Sequence, residues 1–328
     1  MNMDSVSRLT GTEKKCWLQL LQKAGLTPDE AVEQTVLVWE NDALIATGSR
    51  QENILKCIAV DAAYQGEGLL ATVLTQLRQE AFRQGHRQLF LYTKPANEFL
   101  FRSLAFYPVA VTGDVLLMED KKDGIHTFLQ SLPMADGKTV GAAVMNCDPF
   151  TLGHQYLIET AAAECDRLYI FVLSEDKGHF SASDRLELVK RGTAHLPNVL
   201  VLPTGPYLIS SATFPTYFLK DREKAGVAQC LLDIEIFCKY FATHFGITRR
   251  YVGTEPLSPV TNLYNEALLA HLPGRGIEVR QIPRLTAEGA PISAGAVRKH
   301  FINGEFGILE KYLPQTTLAF LREKHLSE

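Results

Sequence analysis

The stretch Met145-Asn146-Cys147-Asp148-Pro149-Phe150-Thr151-Leu152-Gly153-His154 decides how the larger part of this chain is read. The run from Thr139 to Met145 before it is small and apolar and predicts a buried strand. Pro149 cannot donate to a central ladder, so the strand ends there. From Gly153 to Ala163 the apolar spacing predicts a helix. A strand that turns directly into a helix leaves free N–H groups and the positive end of the helix dipole at one point, which favours an anion. Gly153 allows close backbone approach to a phosphate, Thr151 offers a hydroxyl and His154 a ring donor. No G-x-x-x-x-G-K-S/T run occurs, so this is not a Walker A loop. On spacing alone, a capping or packing role for His154 is as good a reading as a phosphate contact.

Downstream, strand and helix alternate. Strands are predicted at Arg167 to Leu173, Val199 to Leu202, Arg250 to Val252 and Ile277 to Ile282, with helices at Ser183 to Arg191 and Lys224 to Phe245. This spacing predicts a parallel sheet with helices on both faces, whose ligands bind at the carboxyl ends of the strands. Upstream, the pattern is α+β. A helix is predicted at Cys16 to Ala24, a hairpin at Thr35 to Trp39 and Ala43 to Thr47, and a strand at Ile54 to Val60. A helix at Leu69 to Arg83, a strand at Gln88 to Tyr92 and a helix at Asn97 to Leu104 follow. The charged, Gly- and Pro-containing stretch Lys121 to Lys138 separates the two patterns. The predicted domains are residues 1–135 and 136–328.

Composition sets limits. The chain has 328 residues, 46% of them apolar and 21% charged, which is ordinary globular usage. Its net charge of −4 divides into −3 before residue 135 and −1 after it. Neither part is basic, which argues against a nucleic-acid backbone as main partner. No apolar run reaches membrane-spanning length, and the start, MNMDSVSRLTGTEKK, lacks the apolar core of a signal peptide. The six cysteines show neither C-x-x-C spacing nor a zinc pattern, so reduced thiols in a cytoplasmic protein are expected and no metal site is predicted. Cys147 reads as a small turn residue rather than a nucleophile.

The turn at Thr151-Leu152-Gly153-His154 resembles the T-x-G-H form of the nucleotidyltransferase signature. A second element of that superfamily, I-S-x-S/T-x-x-R, is matched by Ile292-Ser293-Ala294-Gly295-Ala296-Val297-Arg298, with Gly295 where a hydroxyl residue is usual. Further stretches narrow the resemblance: NCDPFTLGHQYLI (Asn146 to Ile158), SEDKGHFSASDR (Ser174 to Arg185), ISSATFPTYFLK (Ile209 to Lys220) and GTEPLSPVTNLYNEA (Gly253 to Ala267). Together they resemble the citrate (pro-3S)-lyase ligase family, densely over residues 139–328.

That resemblance implies an AMP-forming acid–thiol ligase. ATP and acetate give acetyl-AMP and pyrophosphate. The acetyl group then passes to the prosthetic-group thiol of the citrate lyase acyl carrier subunit. Thr151, His154, Arg298 and Lys177 are the implied catalytic residues. Asn146, Asp148, Phe150, Gly153, Gly253, Glu255 and Ser293 are the implied nucleotide contacts, with Ser258 and Asn262 near the base or ribose. Ser210, Ser211 and Thr213 are assigned to the acetate or acceptor pocket, and His179 is a candidate acceptor of the thiol proton. Mg²⁺ is implied by ATP chemistry, held mainly by phosphates. Two other functions compete: adenylyl transfer to a phosphorylated acceptor such as a pantetheine or nicotinamide nucleotide, and acetyl transfer from acetyl-CoA.

Residues 36 to about 119 resemble a GNAT acyltransferase domain. The carrying element is Val60 to Leu74, where Gln65-Gly66-Glu67-Gly68 resembles the Q/R-x-x-G-x-G/A pyrophosphate loop. Leu70 stands where that pattern ends in Gly or Ala. The resemblance assigns Gln65, Gly66 and Gly68 to a CoA-like arm. No general base for an amine substrate is evident, so docking of the arm and a purely structural role remain open.

Overall fold

The computed structural model describes the chain except residues 30, 177, 209–216, 220–221, 257, 288 and 326–328, and the side chains of 222–225 and 325. Two compact units result: residues 1–125 with 213–235, and residues 126–212 with 236–328. This differs from a single cut at 135 in two ways. Residues 126–135 join the second unit, and a segment from the middle of the predicted second domain belongs to the first. The physical reason is burial: Tyr217 is 6% exposed, and its hydroxyl donates to the Tyr92 carbonyl at 2.7 Å.

In the first unit, β1 (Asn2–Val6) and α1 (Gly11–Lys23) precede a β2–β3 hairpin (Gln34–Glu40, Ala43–Gln51). Its two-residue turn is Asn41-Asp42, with φ of 47° and 65°, values that Asn and Asp tolerate best after glycine. Then come β4 (Ile54–Val60), α2 (Leu69–Arg83), β5 (Phe90–Thr93), α3 (Glu98–Arg102), β6 (Tyr107–Val111) and β7 (Leu116–Glu119), while α4 (Gly124–Gln130) begins at the boundary and lies in the second unit from residue 126. The sheet order is β1-β2-β3-β4-β5-β7-β6. Only β4 and β5 pair in parallel, and only at Ile54–Phe90 and Leu55–Leu91. This is the mixed α+β architecture implied by the acyltransferase resemblance. Leu69, Val73, Leu74, Leu77 and Ala81 line one face of α2 at helical spacing and pack with Val36, Val38, Leu89 and Leu91.

The second unit is a five-stranded parallel sheet, order β10-β9-β8-β11-β12. Its elements are β8 (Val140–Met145), α5 (Leu152–Ala163), β9 (Arg167–Val172), α6 (Ala182–Gly192) and β10 (Val199–Pro203). The chain passes through α7 (Arg222–Ile236), which belongs to the first unit up to residue 235, into a π-helical stretch Phe237–Ala242 and α8 (Thr243–Phe245) of the second, then β11 (Arg249–Gly253), α9 (Pro259–His271) and β12 (Glu278–Ile282). A β13–β14 ladder (Thr286–Ala287, Ala290–Pro291), α10 (Ala294–Ile302), α11 (Phe306–Leu309) and α12 (Gln315–His325) close the chain. Strand order reverses between β8 and β11, so the switch point lies beside the β8–α5 turn. The nucleotidyltransferase-like parallel sheet is thus present, and the turn that opened the sequence reading sits at its ligand-binding edge.

Candidate active site at the β8–α5 turn

Thr151 is the N-cap of α5 and is 2% exposed. Its Oγ1 accepts from the His154 backbone N–H at 3.4 Å, and its own N–H donates to His154 Nδ1 at 3.1 Å. A backbone N–H can only donate. Nδ1 therefore carries a lone pair, and the ring proton sits on Nε2. Burial, and after it the positive charge of Arg284, push the His154 pKa down to about 4. The side chain is thus a neutral Nε2–H donor at physiological pH, held at the N-terminus of a helix. Phe150 backs the imidazole, with ring planes 17° apart and centroids 6.0 Å apart.

Gly153 lies in the first turn of α5. A Cβ built there would come 3.5 Å from Thr151 Oγ1 and 3.6 Å from Ile292 Cβ, ordinary van der Waals separations. The protein's own packing therefore does not demand glycine here. The same distances show that the Ile292–Ser293 turn lies over this helix end. From α10, Arg298 Nη1 donates to the Asp148 carbonyl and pairs with Asp148 Oδ2 at 3.4 Å. Its side chain stays 34% exposed. The two distant motifs therefore meet at one helix N-terminus, with a neutral donor and a guanidinium facing the same edge.

Those motifs coincide with a family match. The family model described as the citrate lyase ligase C-terminal domain matches residues 140–321. The ligase of citrate (pro-3S)-lyase from Klebsiella pneumoniae is 38% identical over 317 residues, 94% of this chain and 93% of that protein. Its counterpart from Escherichia coli K12 is 38% identical over 312 residues, 93% of this chain and 89% of that protein. This chain belongs to the citrate lyase ligase family. A phosphopantetheine adenylyltransferase from Corynebacterium efficiens is also similar, 36% identical over 69 residues, 20% of this chain and 43% of that protein. Among solved structures, Escherichia coli ElaA aligns with 37% of this chain and 99% of its own at TM-score 0.32 and 16% identity.

The remaining sequence-predicted residues of this citrate lyase ligase family member fall into distinct places. Asp148 is 5% exposed, and its carboxylate accepts from the backbone N–H groups of His179 (3.0 Å) and Phe180 (2.9 Å). It locks the loop after β9 onto the turn after β8. Asn146 is likewise engaged: its carbonyl and Oδ1 accept from Arg185 Nη1 at 2.9 and 2.6 Å. Phe150 is fully buried against Gly192, where any Cβ would strike its ring at 2.2 Å. It supports the turn from the core. Cys147 is buried with φ of 52°, and burial raises its thiol pKa. It is a turn residue, inert as a nucleophile. The His179 ring packs against Phe180 and Phe301.

At the ends of β11 and β12, the Gly253 carbonyl accepts from Asn265 Nδ2 at 2.9 Å. Glu255 accepts from the Ser258 N–H at 3.0 Å and pairs with Arg284, while the Asn262 amide is turned to Glu266 at 2.8 Å. Ser293 holds the N-cap position of α10 without a side-chain cap bond. Gly295 has room for a side chain, with Ser293 Oγ 3.5 Å and Arg298 Nη2 3.7 Å from a built Cβ. Lys177, Ser210, Ser211 and Thr213 lie outside the described residues. Sequence reading missed Arg185 and Arg284. Arg185 is fully buried and bonds the carbonyls of Asn146, Phe180 (3.2 Å) and Glu175, fastening both strand-end loops. A basic residue in the first turn of α6 gave no signal of that burial.

In the first unit, Gln65, Gly66 and Gly68 form the turn entering α2, with glycine φ values of 92° and 78° and open space around both. All three line a cavity of about 1010 Å³ shared with Leu70, Tyr92, Lys94 and Tyr217. Leu70 is partly buried against the apolar core.

Proposed function

We propose that this member of the citrate lyase ligase family is an ATP-dependent acetate:protein-thiol ligase acting on the prosthetic-group thiol of the citrate lyase acyl carrier subunit. The supporting observation is the convergence of Thr151, Gly153 and His154 with Arg298 at the N-terminus of α5. In the first step an acetate oxygen attacks the α-phosphorus of ATP. The bond to the β-phosphate oxygen breaks and pyrophosphate leaves. In the second, the carrier thiol gives its proton to water, its sulfur attacks the acetyl carbon, and the bond from that carbon to the AMP oxygen breaks, releasing AMP. The obstacle in the first step is repulsion between two anions and charge growing on pyrophosphate.

His154 Nε2–H and the bare backbone at Gly153 face the phosphates, and Arg298 supplies a planar guanidinium suited to phosphate oxygens. Lys177 adds a further cation in this reading, and Ser210, Ser211 and Thr213 contribute to the acetate or acceptor side. Among the described residues no group of three or more His, Cys, Asp or Glu side chains is arranged to hold a metal ion. In this reading Mg²⁺ enters with ATP and is held mainly by phosphate oxygens. The Gln65–Gly68 turn receives the CoA-like arm of the carrier. The six free cysteines fit a reducing, cytoplasmic setting, and among the described residues no helix is long and apolar enough to cross a membrane.

The decisive experiment is ATP–pyrophosphate exchange by the purified protein with Mg²⁺, with and without acetate. Acetate-dependent exchange is expected. Exchange that needs a phosphorylated acceptor would support an adenylyltransferase instead, and acyl transfer from acetyl-CoA without ATP would overturn the ligase reading.

A further inference from the structure

Arg284 is a charged side chain that neither sequence motif contains. The register pairs Arg250 with Ala142 and Gly253 with Ile282. Met145, Gly253 and Ile282 end β8, β11 and β12 at the carboxyl edge of the sheet, with Gly253 and Ile282 paired. Arg284 follows two residues beyond Ile282, on the same edge as the β8–α5 turn. Its backbone N–H donates to Thr254 Oγ1 at 3.2 Å, which fixes the start of the side chain. Its Nη2 donates to Glu255 Oε2, and the Glu255 carboxylate, 3% exposed, is itself held by the Ser258 N–H at 3.0 Å. A buried carboxylate thus grips one corner of the planar fork, while the Arg284 side chain as a whole remains 30% exposed. The positive charge also reaches the His154 ring, where it adds to burial in disfavouring the imidazolium.

A half-buried guanidinium held by a buried acid, on the sheet edge that carries the α5 N-terminus, adds a second cation to Arg298 and so suits an anion of higher charge than a nucleoside monophosphate. We infer that Arg284, oriented by Glu255, is a further phosphate-binding residue that holds the β- and γ-phosphates of the nucleotide opposite Arg298. Glu255 is then a positioning residue and not a contact to adenine or ribose. The inference rests on the nucleotide reading of the site and names which part of the nucleotide this pair reads.

The test is calorimetric titration of the full-length protein with ATP and with AMP, both with Mg²⁺ at one fixed ionic strength. Arg284→Gln should weaken ATP binding about 10- to 100-fold, the range expected for a charge-assisted contact, with AMP affinity within about twofold of wild type. Arg284→Lys keeps the charge but loses the fork, and should fall between; it serves as the readout if Arg284→Gln does not fold. Glu255→Gln should weaken ATP more than AMP by a smaller factor, because the guanidinium loses its aim. Equal losses for ATP and AMP, or unchanged ATP affinity in Arg284→Gln, would overturn the assignment. Wild-type protein that binds neither nucleotide would overturn the nucleotide reading itself, a result distinct from either.

Discussion

His154 illustrates how a single residue's environment selects its chemistry. With Nδ1 occupied by the Thr151 N–H and the ring pKa lowered to about 4, this histidine is a donor of one hydrogen bond and not an acid–base group near neutrality. His154→Ala should lower acetate-dependent exchange by about 10²–10³, the usual loss for a preorganised donor. His154→Gln, which retains an N–H near Nε2, should recover part of it. The pH profile of exchange should show no ionisation near 6.5 attributable to His154. A wild-type profile with a histidine-like inflection that vanishes in His154→Gln would contradict the neutral-donor role. The sign for stability follows from the same shift. The unfolded chain binds the proton more readily than the folded one, so this residue's contribution is full above about pH 6.5 and falls as pH drops toward 4.

At the scale of the element, the N-terminus of α5 is built for a guest. Gly153→Ala introduces a methyl group at ordinary contact distances, in a helical position where alanine is intrinsically favoured. The variant should melt at or slightly above the wild-type temperature yet bind ATP at least about tenfold more weakly. Loss of both stability and binding would mean that the glycine serves packing instead. The loop after β9 depends on Asp148 in a complementary way. Asp148→Asn keeps one acceptor oxygen but gives up the second bond to the His179–Phe180 backbone and the charge facing Arg298. A loss of about 1.5–3 kcal/mol is expected in urea unfolding. A midpoint indistinguishable from wild type would show that the carboxylate does not lock the loop.

The whole molecule carries a chain crossing. The first unit recruits residues 213–235, which in sequence lie between β10 and β11 of the second. Tyr217 anchors that excursion: the Thr27 N–H donates to its carbonyl at 2.8 Å and its hydroxyl donates to the Tyr92 carbonyl at 2.7 Å, beside the short parallel pairing of β4 and β5. Tyr217→Phe leaves that carbonyl without its donor and should cost about 1 kcal/mol. Hydrogen exchange on the intact protein should show lost protection in β4 and β5 while β8–β12 keep theirs. Unchanged protection in β5 would remove Tyr217 from this role.

The sequence by itself determined the parallel sheet, the α+β unit before it and the strand-to-helix turn proposed to carry the chemistry. Those readings depend on local patterns: strand alternation, helical spacing in Leu69–Arg83, and a proline and a glycine flanking Thr151. It also placed Thr151, His154 and Arg298 in one site, because each belongs to a short motif at an element boundary. Tertiary structure decided the rest. Phe150 and Asp148 look like ligand contacts in one dimension and turn inward because Gly192 and the His179–Phe180 backbone receive them. Arg185 ties Asn146, 39 residues away, to the nearer carbonyls of Glu175 and Phe180, and Arg284 meets Glu255 29 residues away, contacts that no local pattern announces. The return of Tyr217 to the first unit is set by buried surface and a hydrogen bond spanning 125 residues, and no local pattern encodes a contact of that range.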